Sequence, residues 1–220
     1  MEWERKLYFP NVCQVKVRKT KTERHTGNEE DLGFDGNKGK YYQFECRGVE
    51  QRIYLDELDS ALENHGVVLL ESYYKTLDFL KKKYETSVDF ASTFISPFHV
   101  QEIKELTEQG TRLEDYLPDL MLDSLIKRAE KNGKTLTRYL IKELELRAED
   151  SVNEMRFAHK YQYVITNHCF ESDSRWELPV LIGEPKSVVN SLYNIIVQEE
   201  GNIDYVDKGS NYSFLINNNI

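Results

Sequence analysis

The sequence predicts an α/β protein with a mainly parallel sheet flanked by helices. Three observations lead there. Residues 66–71, GVVLLE, form a short continuous apolar run bounded by a glycine and an acid, the pattern of a strand buried on both faces. Residues 90–96 and 161–167 (YQYVITN) repeat that grammar. Segments of helical periodicity separate these runs, and buried strands that alternate with helices favour a parallel sheet.

Taken in order, residues 12–17 alternate, with Val12, Gln14 and Lys16 against Cys13, Val15 and Val17, which predicts an opening strand with one buried face. Residues 25–40 carry Gly27, Asn28, Gly33, Gly36 and Asn37 and predict a loop. Residues 41–46 predict a second strand, and Ile53 and Tyr54 follow as extended chain. Asp56 is the expected cap of a helix through His65, with Leu58, Ala61 and Leu62 on one face and Gly66 just past the end as a left-handed stop. A helix over 75–84 follows the 66–71 strand. Between the last two strands, helices are expected over 100–110, 117–132 and 136–159, broken by Pro118 and by Asn132-Gly133. Residues 187–199 predict another helix through Val188, Leu192, Ile195 and Ile196. Residues 212–216 read as a terminal strand.

The 220 residues hold 40% hydrophobic, 12% aromatic and 30% charged residues, the composition of a folded domain. A net charge of −9 argues against nucleic acid as a partner, because binding to phosphate backbones depends on Lys and Arg. Residues 15–24 are a local exception, rich in Lys and Arg, and read either as an anion-attracting strip or as a lysine-protected edge strand. Cys13, Cys46 and Cys169 show neither disulfide nor zinc spacing, so no metal is expected and the thiols are read as reduced. The amino terminus lacks the apolar stretch of a signal peptide and no run approaches a membrane span, so no membrane association and a cytoplasmic location are expected.

Phosphoryl transfer to a nucleotide needs a glycine-rich turn after a strand, a lysine and a Ser or Thr. Gly133-Lys134-Thr135 supplies half of that motif, but Arg128 stands where its first glycine belongs. A helix stop at Gly133, with Thr135 or Thr137 capping the next helix, accounts for it better. His25, His65, His99, His159 and His168 are scattered, and no serine or cysteine nucleophile sits in a recognisable turn. His168, Cys169 and Glu171 are close in sequence and read as surface polar residues. Tyr41, Tyr42, Tyr54, Tyr73 and Tyr74 read as core or cross-strand aromatics, with a stacking surface for a base as the alternative.

Residues 147–167, RAEDSVNEMRFAHKYQYVITN, resemble the end of the guanylate kinase lid and its final strand, with Arg147, Glu154, Ala158, Tyr161, Tyr163, Val164, Ile165 and Asn167 in register. GVVLLE at 66–71 and FISP at 94–97 resemble two further strands of that family. The resemblance implies a single guanylate kinase-like domain over 1–220, a small monophosphate-binding-like subdomain at 25–66 and a helical lid or insertion at 100–159. It implies that Lys21, Arg24 and Arg147 bind a substrate phosphate and that Glu71 and Asn167 belong to a nucleotide pocket.

The same comparison exposes departures from the family. One of its two phosphate-gripping arginines is replaced by lysine, which loses the bidentate fork. Its guanine-binding tyrosines have no counterpart at 48–53, Tyr73 stands beside Glu71 where a second acid belongs, and 115–134 has no counterpart. The phosphate loop is expected before Lys19 and is not found there. The reading is a degenerate binding or interaction module without ATP-dependent phosphotransfer, taking a GMP-like ligand or a protein partner, with a homo-oligomer open. No catalytic residue and no cofactor is assigned. The alternatives are a guanylate kinase whose phosphate loop comes from elsewhere, which would bring Mg and ATP, and an unrelated α/β enzyme.

Overall fold

The structure, a computed structural model, describes residues 12–19, 39–170, 172–197 and 206–216. The chain divides into two compact units, Met1–Val88 and Asp89–Ile220. Helices flank a mixture of parallel and antiparallel pairings, so the fold is a mixed α/β one.

In the first unit β1 (Val12–Val15) pairs in parallel with β5 (Val67–Leu70), Val12 opposite Val67 and Val15 opposite Leu70. A second sheet has the order β2 (Arg18–Lys19), β4 (Val49–Tyr54), β3 (Tyr41–Cys46), and is antiparallel throughout. Its hairpin turns on two residues, Arg47 at φ 51° and Gly48 at φ 75°. Two left-handed positions in succession match the twist of the flanking strands, and that fixes an antiparallel register where a mainly parallel sheet was expected. Ile53 is fully buried, and Cys46 and Gln51 on the same face are buried with it.

α1 (Leu55–Asn64) leaves β4 without a break and buries Leu58 and Ala61. Asp56 is not its cap. The Leu55 amide donates to the Lys40 carbonyl at 2.8 Å, extending the hairpin ladder to the first helical residue, and the Asp56 carboxylate accepts from the Lys40 amide at 2.8 Å. The helix ends on an extended His65 instead of a left-handed Gly66. A 3-10 turn over Tyr74–Thr76 leads into α2 (Leu77–Tyr84).

In the second unit β7 (Tyr163–Thr166) lies between β6 (Thr93–Ser96), parallel to it, and β8 (Val206–Lys208), antiparallel. Val164 packs with Phe98, Ile103, Leu117, Met155, Tyr212 and Leu215, while Ile165 packs with Val188 and Ile195. Three helices connect β6 to β7: α3 (Val100–Glu108), α4 (Leu113–Lys131) and α5 (Arg138–Phe157). Pro118 does not break α4. It removes one helical donor at a cost of about 3 kcal/mol, but Leu113 and Leu117 on the same turns are buried, and burying each stabilises by about 1.5–3 kcal/mol.

α4 and α5 pack through Leu125, Ala129, Leu144 and Ala148. Gly133, at φ 67°, turns the chain between them, and the Thr137 hydroxyl caps α5 by accepting from the Leu140 amide at 3.1 Å. α6 (Gly183–Val197) starts earlier than the periodicity suggests, with Pro185 buried in its first turn. Residues 212–216 are not a strand. Gly209–Ile216 is a 3-10 helix, and its buried Tyr212 and Leu215 fall three residues apart, the period of that helix. Among the described residues no helix is long and apolar enough to cross a membrane.

Gly209 allows the closest approach in this unit. A Cβ there would stand 1.9 Å from the Tyr161 carbonyl oxygen, which is backbone and cannot rotate away. Gly66 has nothing within 4 Å. In urea unfolding, Gly209→Ala is expected to lose about 3 kcal/mol, and Gly66→Ala to gain about 0.4–1 kcal/mol through the unfolded chain. A Gly209→Ala protein as stable as the parent would contradict the packing.

Candidate functional site

In α/β sheets, polar groups that act on ligands gather beyond the carboxyl ends of parallel strands. At that end of β6 and β7 the second unit carries a continuous polar network. It starts where the Asn167 amide donates to the Ser96 carbonyl at 2.8 Å, one step past the strand ladder. The Asn167 side-chain oxygen then accepts from the Cys169 amide at 3.1 Å. This local turn sets His168 and Cys169 over the ends of the strands.

His168 makes three contacts of 2.7–2.9 Å. Its amide and Nδ1 both lie 2.7 Å from Glu184 Oε1, in the first turn of α6, and its Nε2 lies 2.9 Å from Glu102 Oε2, in the first turn of α3. Glu102 also accepts from the His99 amide at 2.6 Å, closing a capping box at the start of α3. His99 Nδ1 accepts from the Gln101 amide, which leaves the proton on Nε2, 3.3 Å from Asp207 on β8. Burial works against the charged His168, but Glu102 and Glu184 outweigh it and the pKa is raised. Burial likewise opposes the charged Glu184, yet the His168 amide, the Cys169 thiol and the imidazole hold its pKa below the ordinary value.

The Cys169 thiol is buried. It donates to Glu184 Oε2 at 3.1 Å, and Arg175 Nη2 lies 2.7 Å from the sulfur. Desolvation first, then the Glu184 carboxylate, push the thiol up to about 12. Arg175 is held in turn by a two-pronged bond to Asp173, from Nε at 3.0 Å and Nη2 at 2.8 Å. That bond, followed by the Arg175 amide, lowers Asp173 to about 2. Trp176 Nε1 donates to the Cys169 carbonyl at 2.7 Å and closes the loop.

Chemically the network stabilises charge without supplying a nucleophile. Both His168 ring nitrogens point at carboxylates, so none is directed at the Cys169 sulfur as a general base. A thiol held near 12 is a hydrogen-bond donor at neutral pH. Among the described residues no three His, Cys, Asp or Glu side chains are placed to hold a metal ion.

The residues expected from sequence fall as follows. Lys21 and Arg24 lie outside the described residues, as do most of the 25–40 loop, much of the basic 15–24 stretch and Glu171. Glu71 is exposed just after β5 in the first unit. Arg147 is half-buried on α5, and Asn167 belongs to the rim of the second unit, where its side chain shapes the turn to Cys169. Glu102, Arg175, Glu184 and Asp207 were missed. The His99-x-x-Glu102 spacing was the readable sign of the first.

The first unit uses its aromatics in packing. Tyr42 stacks on Phe79 with centroids 3.8 Å apart and planes 7° from parallel. Tyr73 and Tyr74 lie at 4.4 Å. Arg52 lies 4.2 Å from the Tyr41 ring and Arg18 4.7 Å from that of Tyr54. Arg18 is also paired with Glu57.

Comparison of the chain with protein-family models, with curated proteins and with solved structures finds no match.

With a pKa near 12, Cys169 is about one part in ten thousand thiolate at pH 8. Iodoacetamide at that pH should spare Cys169 in the native chain and modify it in urea, as read by peptide mass spectrometry. Rapid native modification would rule out the hydrogen-bonded thiol.

Proposed function

We propose that the chain is a degenerate guanylate kinase-like binding module that holds a GMP-like ligand and carries out no ATP-dependent phosphotransfer. The observation that carries this reading is the setting of its Gly133-Lys134-Thr135. That segment joins two helices, α4 and α5, and Gly133 and Thr137 serve as helix stop and helix cap. A phosphate cradle requires the same residues after a strand, with their amides turned toward the phosphates.

The resemblance over 147–167 supports the guanylate kinase-like part of the reading. The parallel pairing of β6 with β7 agrees with the parallel sheet which that resemblance implies. The rim network supports the absence of catalysis, since its ionisable groups are engaged with one another and its thiol is protonated. In this reading Arg147 meets the phosphate of the ligand, with Asn167 near its nucleoside. Phosphotransfer needs charge stabilisation at the transferring phosphoryl group, normally from a phosphate-loop lysine and magnesium, and the sequence shows no such loop motif.

Thermal unfolding tests it. GMP at about a hundredfold its dissociation constant adds about 2.7 kcal/mol, a rise in Tm of about 5–10 °C for a chain of this length. Mg-ATP is expected to add nothing. Arg147→Ala should reduce the GMP response. No response to GMP would remove the ligand from the proposal, and GDP formed from GMP and Mg-ATP would replace it with the kinase alternative.

A further inference from the structure

His168 bridges two carboxylates, and that geometry suits its charged form. Nδ1 is 2.7 Å from Glu184 Oε1 and Nε2 is 2.9 Å from Glu102 Oε2. A neutral imidazole carries one N–H, so one of its nitrogens would turn a lone pair toward a carboxylate at hydrogen-bond distance. With both carboxylates ionised, only the imidazolium satisfies both contacts. We propose that His168 is a proton-operated clasp, which as imidazolium ties the first turns of α3 and α6 to the end of β7 and on deprotonation lets one of them go.

The groups facing the clasp come from every element around it. Glu102 on α3 also accepts from the His99 amide, and His99 in turn faces Asp207 on β8. Glu184 on α6 also accepts from the His168 amide and the Cys169 thiol. Arg175, held by Asp173, lies against that thiol. Of the two arms, Glu102 keeps its capping bond when the imidazole is neutral, and Glu184 keeps the His168 amide. What deprotonation removes is the bridge between them.

The direction follows from the two shifts. The His168 pKa is raised, so the stability it supplies is complete below its ordinary value of 6.5 and is lost as pH rises from there through the folded value. The Glu184 pKa is lowered, so its share is complete above 4.5 and is lost as pH falls through its folded value. The clasp is therefore fully closed between these limits and opens as pH rises through the folded pKa of His168.

The test uses the full chain. Histidine NMR should show His168 titrating above 6.5 with both ring nitrogens protonated at pH 6. Hydrogen exchange of residues 167–184, corrected for the intrinsic effect of pH, should accelerate up to tenfold per pH unit between 6.5 and that titration point and then level off. In His168→Gln this corrected exchange should not depend on pH over the same range. Glu102→Gln, which removes one arm and leaves the other, should lower the His168 titration point and serves if His168→Gln does not fold. A His168 that titrates at or below 6.5, a wild-type exchange profile as flat as that of His168→Gln, or a titration point unmoved by Glu102→Gln would each overturn the clasp.

Discussion

The second unit depends on one strand. β7 is four residues long, is paired along both edges and has Val164, Ile165 and Thr166 fully buried. A strand so enclosed must present apolar side chains to both layers, and it does so with Val164 on one core and Ile165 on the other. Its ladder with β6 ends at Thr166, opposite Ser96, and the chain leaves the sheet there. Asn167 makes that exit by bonding first to Ser96 and then to Cys169. This turn places His168 and Cys169 on the rim, where they meet Glu184, Arg175 and Trp176.

The first unit is organised by different physics. Its hairpin closes on two left-handed residues, and the stacked Tyr42 and Phe79 join the strand layer to α2. Such contacts add about 0.5–1.5 kcal/mol beyond the area they bury. Arginines over tyrosine rings occupy the opposite face of the hairpin, each also engaged with a carboxylate, Arg18 with Glu57 and Arg52 with Glu50. Among the described residues of this unit, Tyr42, Phe44, Tyr73, Tyr74 and Phe79 pack on one another.

Elements whose signal is local were legible in the sequence. The VVLL and YVIT runs became strands, and the amphipathic helices appeared within a few residues of their expected ends. The elements misread were those in which a non-local bond decided the outcome or a period was short. Arg47-Gly48 lacks the usual Asn or Asp of a hairpin turn. Tyr212 and Leu215 lie three apart, which over five residues cannot be told from the alternation of a strand. β8 has three residues and is defined by its partner alone. The rim was illegible for the same reason. Glu184 lies 16 residues from His168, and Glu102 lies 66 away. No spacing rule joins them until the strands are paired.

The pairing of Thr93 with Tyr163 spans 70 residues of chain. During synthesis at about 5–20 residues per second, β6 waits roughly 4–14 s for the strand that completes it. The intervening helices have no such delay, because α4 and α5 meet across a single turn and can bury Leu125 and Leu144 against each other as soon as both have emerged. The helical hairpin is therefore the part of this unit able to assemble first on the ribosome, and the two cores close only after Val188 and Ile195, then Tyr212 and Leu215, have followed β7.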